Sequence, residues 1–336
     1  MDLLLDFLGR IVGQLQGPTL AFLLGGALAS ALGSKLQIPN QVYQLTVFIL
    51  LMRVGMGGGA AILKAQLSEV YLPALFAAII GVLIVVLGLG YFSLLPKVKK
   101  SDGLATAGLF GAVSSATLAA AMLHLEKEGI AFEGWVPALY PFMDIPALIS
   151  AILLAQWHEQ SSQPLKNQQG AWHLIKDSLR GSAVTALLLG VALGLFAKAD
   201  NVYKEFYDKL FPGFLSILMV ALGIDAWQRI KELKSVAGWF ALYAVAAPIV
   251  HGFIGFFFGY LAHLLVGLSP GGTIILAILA ASNSDISGPP TLRAGIPQAN
   301  PSAYIGSSTG IGTPVAIAIC IPLFVGLAKI VFPSLQ

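Results

Sequence analysis

The residues able to do chemistry stand where a membrane chain should have none. Ala281-Ser-Asn-Ser-Asp-Ile-Ser-Gly-Pro-Pro-Thr291 follows the apolar run Thr273 to Ala280, placing Ser282, Asn283, Ser284, Asp285 and Ser287 at mid-bilayer depth. Pro289 and Pro290 lack a backbone N–H and cannot continue a helix from upstream, yet either suits a first helical turn. The spacing therefore predicts a helix that stops near Asn283 and restarts at Pro289. Broken backbone at membrane depth is tolerated only where it lines an enclosed or watery cavity. A restarted helix aimed into such a cavity is the binding-site architecture of secondary transporters.

The first half of the chain carries a counterpart, Gly111-Ala-Val-Ser-Ser-Ala-Thr117. Two interrupted helices crossing at mid-membrane aim two half-helix N-termini into one cavity. Each such end carries roughly half a positive charge and free N–H groups, enough to hold an anion without lysine or arginine. The candidate anion ligands are Ser114, Ser115 and Thr117 with Ser282, Asn283, Ser284 and Ser287. The plainer alternative is that these hydroxyls bond back to their own helix or join neighbours.

Two buried carboxylates stand out, Asp285 in the break and Asp144 mid-span in Tyr140-Pro-Phe-Met-Asp-Ile-Pro146. A charge at bilayer centre costs about 3 kcal/mol or more on insertion scales, so it calls for an ion, a proton or a partner. Ser307, Ser308 and Thr309 fall opposite Asp144 in the repeat described below. Hydroxyls, carboxylates and loosened carbonyls suit a hard cation such as sodium. The candidate cation set is Asp285, Asp144, Ser307, Ser308 and Thr309, against a helix-capping role for Asp285 and a purely structural one for Asp144. His251 has no second histidine or cysteine at ligand spacing. Gly57-Gly-Gly59 reads as a hinge or close-packing signal, since no G-K-[ST] follows it.

The positioning elements are helical and apolar. Of 336 residues, 57% are hydrophobic and only 10% charged, with mean hydropathy +0.83, which marks a polytopic membrane protein. A net charge of +3, spread over loops, gives no sign of nucleic-acid binding. The lone Cys320 excludes a disulfide framework and zinc spacing. Residues 1–16 repeat apolar side chains at helical spacing and read as an interfacial helix. Ten apolar stretches follow, at 18–34, 40–56, 72–95, 103–123, 134–156, 178–198, 211–228, 237–264, 272–295 and 302–332. Each approaches the roughly 20 residues needed to span.

The polar linker 157–177 divides two similar halves, 17–156 and 178–336. Gly17-Pro-Thr-Leu-Ala-Phe-Leu-Leu-Gly-Gly matches Gly181-Ser-Ala-Val-Thr-Ala-Leu-Leu-Leu-Gly at an offset of 164. Leu51-Met-Arg-Val-Gly55 matches Met219-Val-Ala-Leu-Gly223, and Ala112-Val-Ser-Ser-Ala-Thr117 matches Ala280-Ala-Ser-Asn-Ser-Asp285, both at 168. Five spans per half is odd, so the halves insert oppositely, as an inverted repeat. Loops on the side of the central linker hold eleven of the 19 basic residues and the other side seven, with Arg53 inside a span. That bias predicts a cytoplasmic linker and both termini outside. It also sets Arg53 and Asp225 near opposite faces, so they do not pair.

Gly108-Leu-Phe-Gly-Ala-Val-Ser, Ala138-Leu-Tyr-Pro-Phe-Met-Asp-Ile-Pro-Ala, Ser284-Asp-Ile-Ser-Gly-Pro-Pro-Thr-Leu-Arg-Ala-Gly-Ile-Pro and Asn300-Pro-Ser-Ala-Tyr-Ile-Gly-Ser-Ser-Thr carry a resemblance. With Gly17-Pro-Thr-Leu-Ala-Phe-Leu, they resemble the cyanobacterial sodium-dependent bicarbonate transporter family (SbtA) nearly end to end. The resemblance implies sodium-coupled bicarbonate uptake at the plasma membrane for a carbon-concentrating mechanism, with no cofactor beyond sodium as coupling ion. It also implies a homotrimer in membrane lipid and inhibition by a cytoplasmic trimeric PII-like protein. The basic cluster Lys97, Lys99, Lys100, Arg229, Lys231 and Lys234 is the expected docking face for that partner. The implied fold is an all-α gate and core like that of bile-acid and sodium/proton transporters. The gate takes 17–56 and 178–228, and the core takes 72–156 and 237–332. Two other readings remain: an intramembrane aspartyl protease, whose G-x-G-D signature is missing, and a symporter for another small monocarboxylate or a proton-coupled anion.

Overall fold

The computed structural model describes residues 18–63, 65, 67–160, 180, 182–197, 199–233, 238–285 and 288–335. The expected interfacial helix 1–16, linker residues 161–177, Ser287 and Lys234 lie outside them, as do the side chains of Arg229 and Lys231. The described residues form helices joined by short connections and include no strand.

The first half runs α1 (Pro18–Ala31), α2 (Asn40–Ile62), α3 (Leu67–Ser93), α4 (Lys100–Gly111), α5 (Ser115–Lys127) and α6 (Tyr140–Gln160). The second runs α7 (Ser182–Phe196), α8 (Lys209–Leu233), α9 (Gly238–Val266), α10 (Pro270–Ala281) and α11 (Gly288–Gly295). It ends in α12 (Pro301–Ser307) and α13 (Ile321–Val331). A π-helical turn, Tyr203–Asp208, leads into α8, and two more, Ser308–Gly312 and Ala316–Cys320, widen the continuous stretch from α12 to α13. Among the described residues, seven helices are long and apolar enough to cross a membrane, while Ala21–Ala31, Thr185–Phe196 and Pro270–Ala281 are apolar but shorter. Seven of the ten expected spans thus stand alone by length.

Local chemistry sets several helix starts. Pro270 and Pro301 occupy first-turn positions, where a missing N–H costs nothing. Ser269 Oγ accepts from Gly272 N at 2.9 Å, and Asn300 Oδ1 from Ser302 N at 3.1 Å, capping α10 and α12. Glu133 secures the α10 cap, accepting from Ser269 N and Ser269 Oγ at 2.6 and 2.8 Å.

Glycine governs how closely helices approach. In α2, a Cβ on Gly55 would collide with Leu187 O and one on Gly59 with Val191 O, both backbone atoms of α7. The same holds between α1 and α8, where Gly26 meets Val220 O and Gly223 meets Leu23 O. Gly57-Gly-Gly59 therefore acts in close packing within an unbroken helix, the second half of its expected role. The remaining helices form a second cluster, α3 against α4 and α6, and α9 against α10.

Candidate functional site

Both helix interruptions are present and they touch. The first separates α4 from α5 at Ala112–Ser114, and Ser114 caps α5 by accepting from Thr117 N at 3.1 Å. The second begins after Ala281, two residues before the expected stop at Asn283, and helix resumes at Gly288, one residue before Pro289. Ser284 Oγ caps the restarted α11, accepting from Gly288 N at 2.9 Å. Two hydrogen bonds tie the breaks together. Ser114 N donates to Ser282 Oγ at 3.1 Å, and Ser284 N donates to Leu109 O at 2.8 Å.

Each break is also held by the last helix of its own half. Asp144, fully buried on α6, accepts from Val113 N at 3.0 Å through Oδ1. The approach depends on glycine: a Cβ on Gly81 would lie 2.5 Å from Met143 O, and one on Gly111 2.9 Å from Gly81 O. In the second half the Asn283 amide sits 2.8 Å from both Ser308 Oγ and Thr313 Oγ1. Turned with its NH2 toward those hydroxyls, its oxygen also accepts from Thr313 N at 3.2 Å. Ser308 Oγ lies 3.2 Å from Ser284 O as well. Ser307 Oγ instead donates back to Ala303 O at 2.7 Å, the intrahelical alternative.

Asp144 is bound by its carboxylate, so the charge and the acceptor separate by substitution. Asp144→Asn keeps an oxygen for Val113 N, whereas Asp144→Ala orphans a buried N–H at about 1–3 kcal/mol. The expected outcome is folded Asp144→Asn protein and clearly lower thermal stability for Asp144→Ala, read by melting in detergent. Equal stability of the two would show that the Val113 bond does not hold the break.

A cavity of about 410 Å³ reaches the second break. Its mouth carries the exposed Gln37, Asn40, Gln228 and Arg293, and its wall the half-buried Asp285 and the buried Thr309. Tyr43 OH donates to Asp285 Oδ2 at 3.4 Å, and the Ser114 hydroxyl is within hydrogen-bonding reach of the same carboxylate. Of the predicted ligands, Asp285 and Thr309 line the cavity. Ser114, Ser115, Thr117, Ser282, Asn283, Ser284, Ser307, Ser308 and Asp144 are buried, and none lines it. Ser115 Oγ and Thr117 Oγ1 are closed off from solvent and have no hydrogen-bond partner. Buried hydroxyls without partners are costly. Among the described residues no three His, Cys, Asp or Glu side chains cluster as a metal site, so a cation here would rest largely on hydroxyl and carbonyl oxygens.

Sequence reasoning missed the groups supplied from α2 and α8. Tyr43 and Asp225 line the cavity opposite Asp285, and polar residues near a span's end were the available signal. Arg53, expected inside a span and apart from Asp225, has different partners. Its Nη2 donates to Glu126 Oε1 at 2.7 Å and its Nε to Asp208 Oδ1 at 3.0 Å, with its guanidinium 4.3 Å from the Phe211 ring centroid. Ten residues, about 15 Å of helix, separate it from Tyr43 along α2. The cavity and the ion cluster thus occupy opposite ends of the bundle, with the breaks between.

These features define a multi-pass membrane protein whose two interrupted helices meet at a polar crossing reached by a cavity. Residues 18–329 match the family model of the Na+-dependent bicarbonate transporter superfamily, and the chain belongs to that family. A search among curated proteins finds no match. The family is one of transporters, so the protein is a transporter and not an enzyme.

Proposed function

We propose that the protein takes up bicarbonate by sodium-driven alternating access, supplying inorganic carbon across the plasma membrane for a carbon-concentrating mechanism. Ten spans form a five-plus-five inverted repeat. Its gate is α1, α2, α7 and α8, and its core holds the two crossing breaks. The pairing of the halves supports this: the Ser114–Ser282 bond joins residues 168 apart, the repeat offset. The repeat also exchanges the α1–α8 and α2–α7 glycine contacts. Both termini lie outside, and the cavity faces the cytoplasm. A homotrimer and a cytoplasmic PII-like partner complete the reading, on the strength of the family resemblance.

The observation that carries the transport reading is the disposition of cavity, breaks and ion cluster along one axis. The cavity reaches Asp285 at one end, while Arg53 joins α2 to Glu126 of α5 at the other. That is a state open on one side and latched on the opposite one. Asp225 and Asp285 outnumber Arg293 in the cavity lining, which favours sodium arriving first. Sodium takes oxygens from Asp285, Thr309, Ser308 and Ser307, with Asp144 holding the first break. Bicarbonate, with one donor and three oxygens, takes the hydroxyls and the amide of the two breaks, those of Ser114, Ser115, Thr117, Ser282, Asn283 and Ser284.

Ser115→Ala and Thr117→Val test the substrate site with little structural penalty, because neither hydroxyl has a partner to lose. One hydrogen bond to a charged ligand is worth about 1.5–3 kcal/mol, roughly 10- to 150-fold in affinity. Each variant should raise the half-saturating bicarbonate concentration at least about tenfold at unchanged protein yield. Unaltered affinity in both would place the substrate elsewhere and leave the breaks as hinges.

A further inference from the structure

A second feature lies on the lipid-facing side, away from the crossing. Along α3, Ile79, Val82, Leu83 and Val86 line an apolar groove with Pro146 of α6. Their spacing keeps them on one helical face. Further along the same two helices lies a pocket of about 330 Å³ walled by Leu89, Ser93, Leu154 and Trp157. That pocket shares Lys100, Leu104 and His158 with a polar pocket of about 360 Å³, where Lys99, Ser101 and Gln298 also converge. From Ile79 to Ser93 the seam runs about 21 Å. That is enough to pass from headgroup level through one leaflet of a hydrocarbon core about 30 Å thick.

The two ends differ in chemistry as the ends of a lipid do. Val86 is 48% exposed and Trp157 70% exposed, and tryptophan at a span's end marks the membrane interface. At the polar end no carboxylate lines either pocket among the described residues. Asp102, next to Ser101, is engaged by Asn300 N at 2.8 Å. Lys99 Nζ donates to Gln298 O at 2.7 Å, which pins one cation at the rim. Ser101 Oγ is shut off from solvent without a hydrogen-bond partner. A free phosphate would use the cations and the hydroxyl but would leave the apolar seam empty.

We propose that this seam is a binding site for an anionic phospholipid. Its phosphate is held by Lys99, Lys100, His158 and Ser101, and one acyl chain lies between α3 and α6. The assignment withdraws Lys99 and Lys100 from the partner-docking face expected from sequence.

Native mass spectrometry of the full chain, with phosphatidylglycerol or phosphatidylcholine added, tests the site. Interfacial cations attract anionic headgroups, so phosphatidylglycerol should be retained at least about tenfold better than phosphatidylcholine. Lys100→Glu should abolish that preference by reversing the charge at the headgroup. Val86→Trp, an exposed position, should reduce retention of phosphatidylglycerol by filling the chain groove, while the distant control Lys209→Glu should change nothing. Equal retention of the two lipids by the unaltered protein, or unchanged retention in both seam variants, would overturn the proposal. So would full displacement of phosphatidylglycerol by millimolar inorganic phosphate, which would make this a simple anion site. None of these outcomes depends on which cargo is carried.

Discussion

Asp285→Asn is expected to abolish sodium-stimulated bicarbonate uptake while leaving a folded, membrane-inserted protein. The substitution is isosteric, and an amide oxygen still accepts from Tyr43 OH, which stands 3.4 Å from the carboxylate. What is lost is one negative charge at the wall of the cavity. At an effective dielectric of about 20, a unit charge pair 4 Å apart is worth about 4 kcal/mol. Desolvation offsets part of that, leaving about 2–3 kcal/mol, or roughly 30- to 150-fold in sodium affinity. Sodium titration of uptake, paired with melting in detergent, reads both properties. A protein that no longer folds would make Asp285 a helix cap, and unchanged sodium dependence would remove it from the ion path.

Arg53→Gln is expected to release the far end of the bundle. Arg53 is 7% exposed and joins α2 to α5 through Glu126 and to the turn before α8 through Asp208. The two carboxylate side chains are 39% and 44% exposed. They rehydrate when freed, so the loss falls between that of a surface pair and a buried one, about 2 kcal/mol. If opening breaks these contacts, that amount shifts the closed-to-open ratio roughly 30-fold. Ala138→Cys gives the readout: Ala138 is buried and its Cβ lies 3.4 Å from the position a Cβ on Gly58 of α2 would take. The native Cys320 is buried and gives little background. Labelling of the thiol introduced at position 138 by an impermeant reagent should rise at least about tenfold in the Arg53→Gln background. Arg53→Lys, which keeps the charge but not the two-pronged geometry, should fall between. Equal labelling in all three backgrounds would mean that the ion cluster is not a latch.

Much of the site could be read in the chain because its signals are local. The prolines at 289 and 290 and the polar run before them announce the second break, and the first follows from its match at an offset of 168. Its edges shifted by one or two residues, since capping by Ser282 and Ser284, rather than the prolines themselves, ends one helix and starts the next. Partners across the bundle were not legible. Tyr43 meets Asp285 over 242 residues and Arg53 meets Asp208 over 155. No periodicity in either segment encodes such a meeting. Asp144 is the instructive case: its burial between two prolines singled it out. Only the bond from Val113 N, made possible by close glycine contacts at Gly81 and Gly111, reveals that it holds the backbone of the first break.

The central claim, bicarbonate transport driven by sodium, is tested most directly by uptake of labelled bicarbonate into proteoliposomes. An inward sodium gradient should drive accumulation above the level reached with potassium in its place, and excess acetate or pyruvate should not compete. Uptake that is indifferent to sodium, or that acetate or pyruvate suppresses as well as unlabelled bicarbonate does, would contradict it.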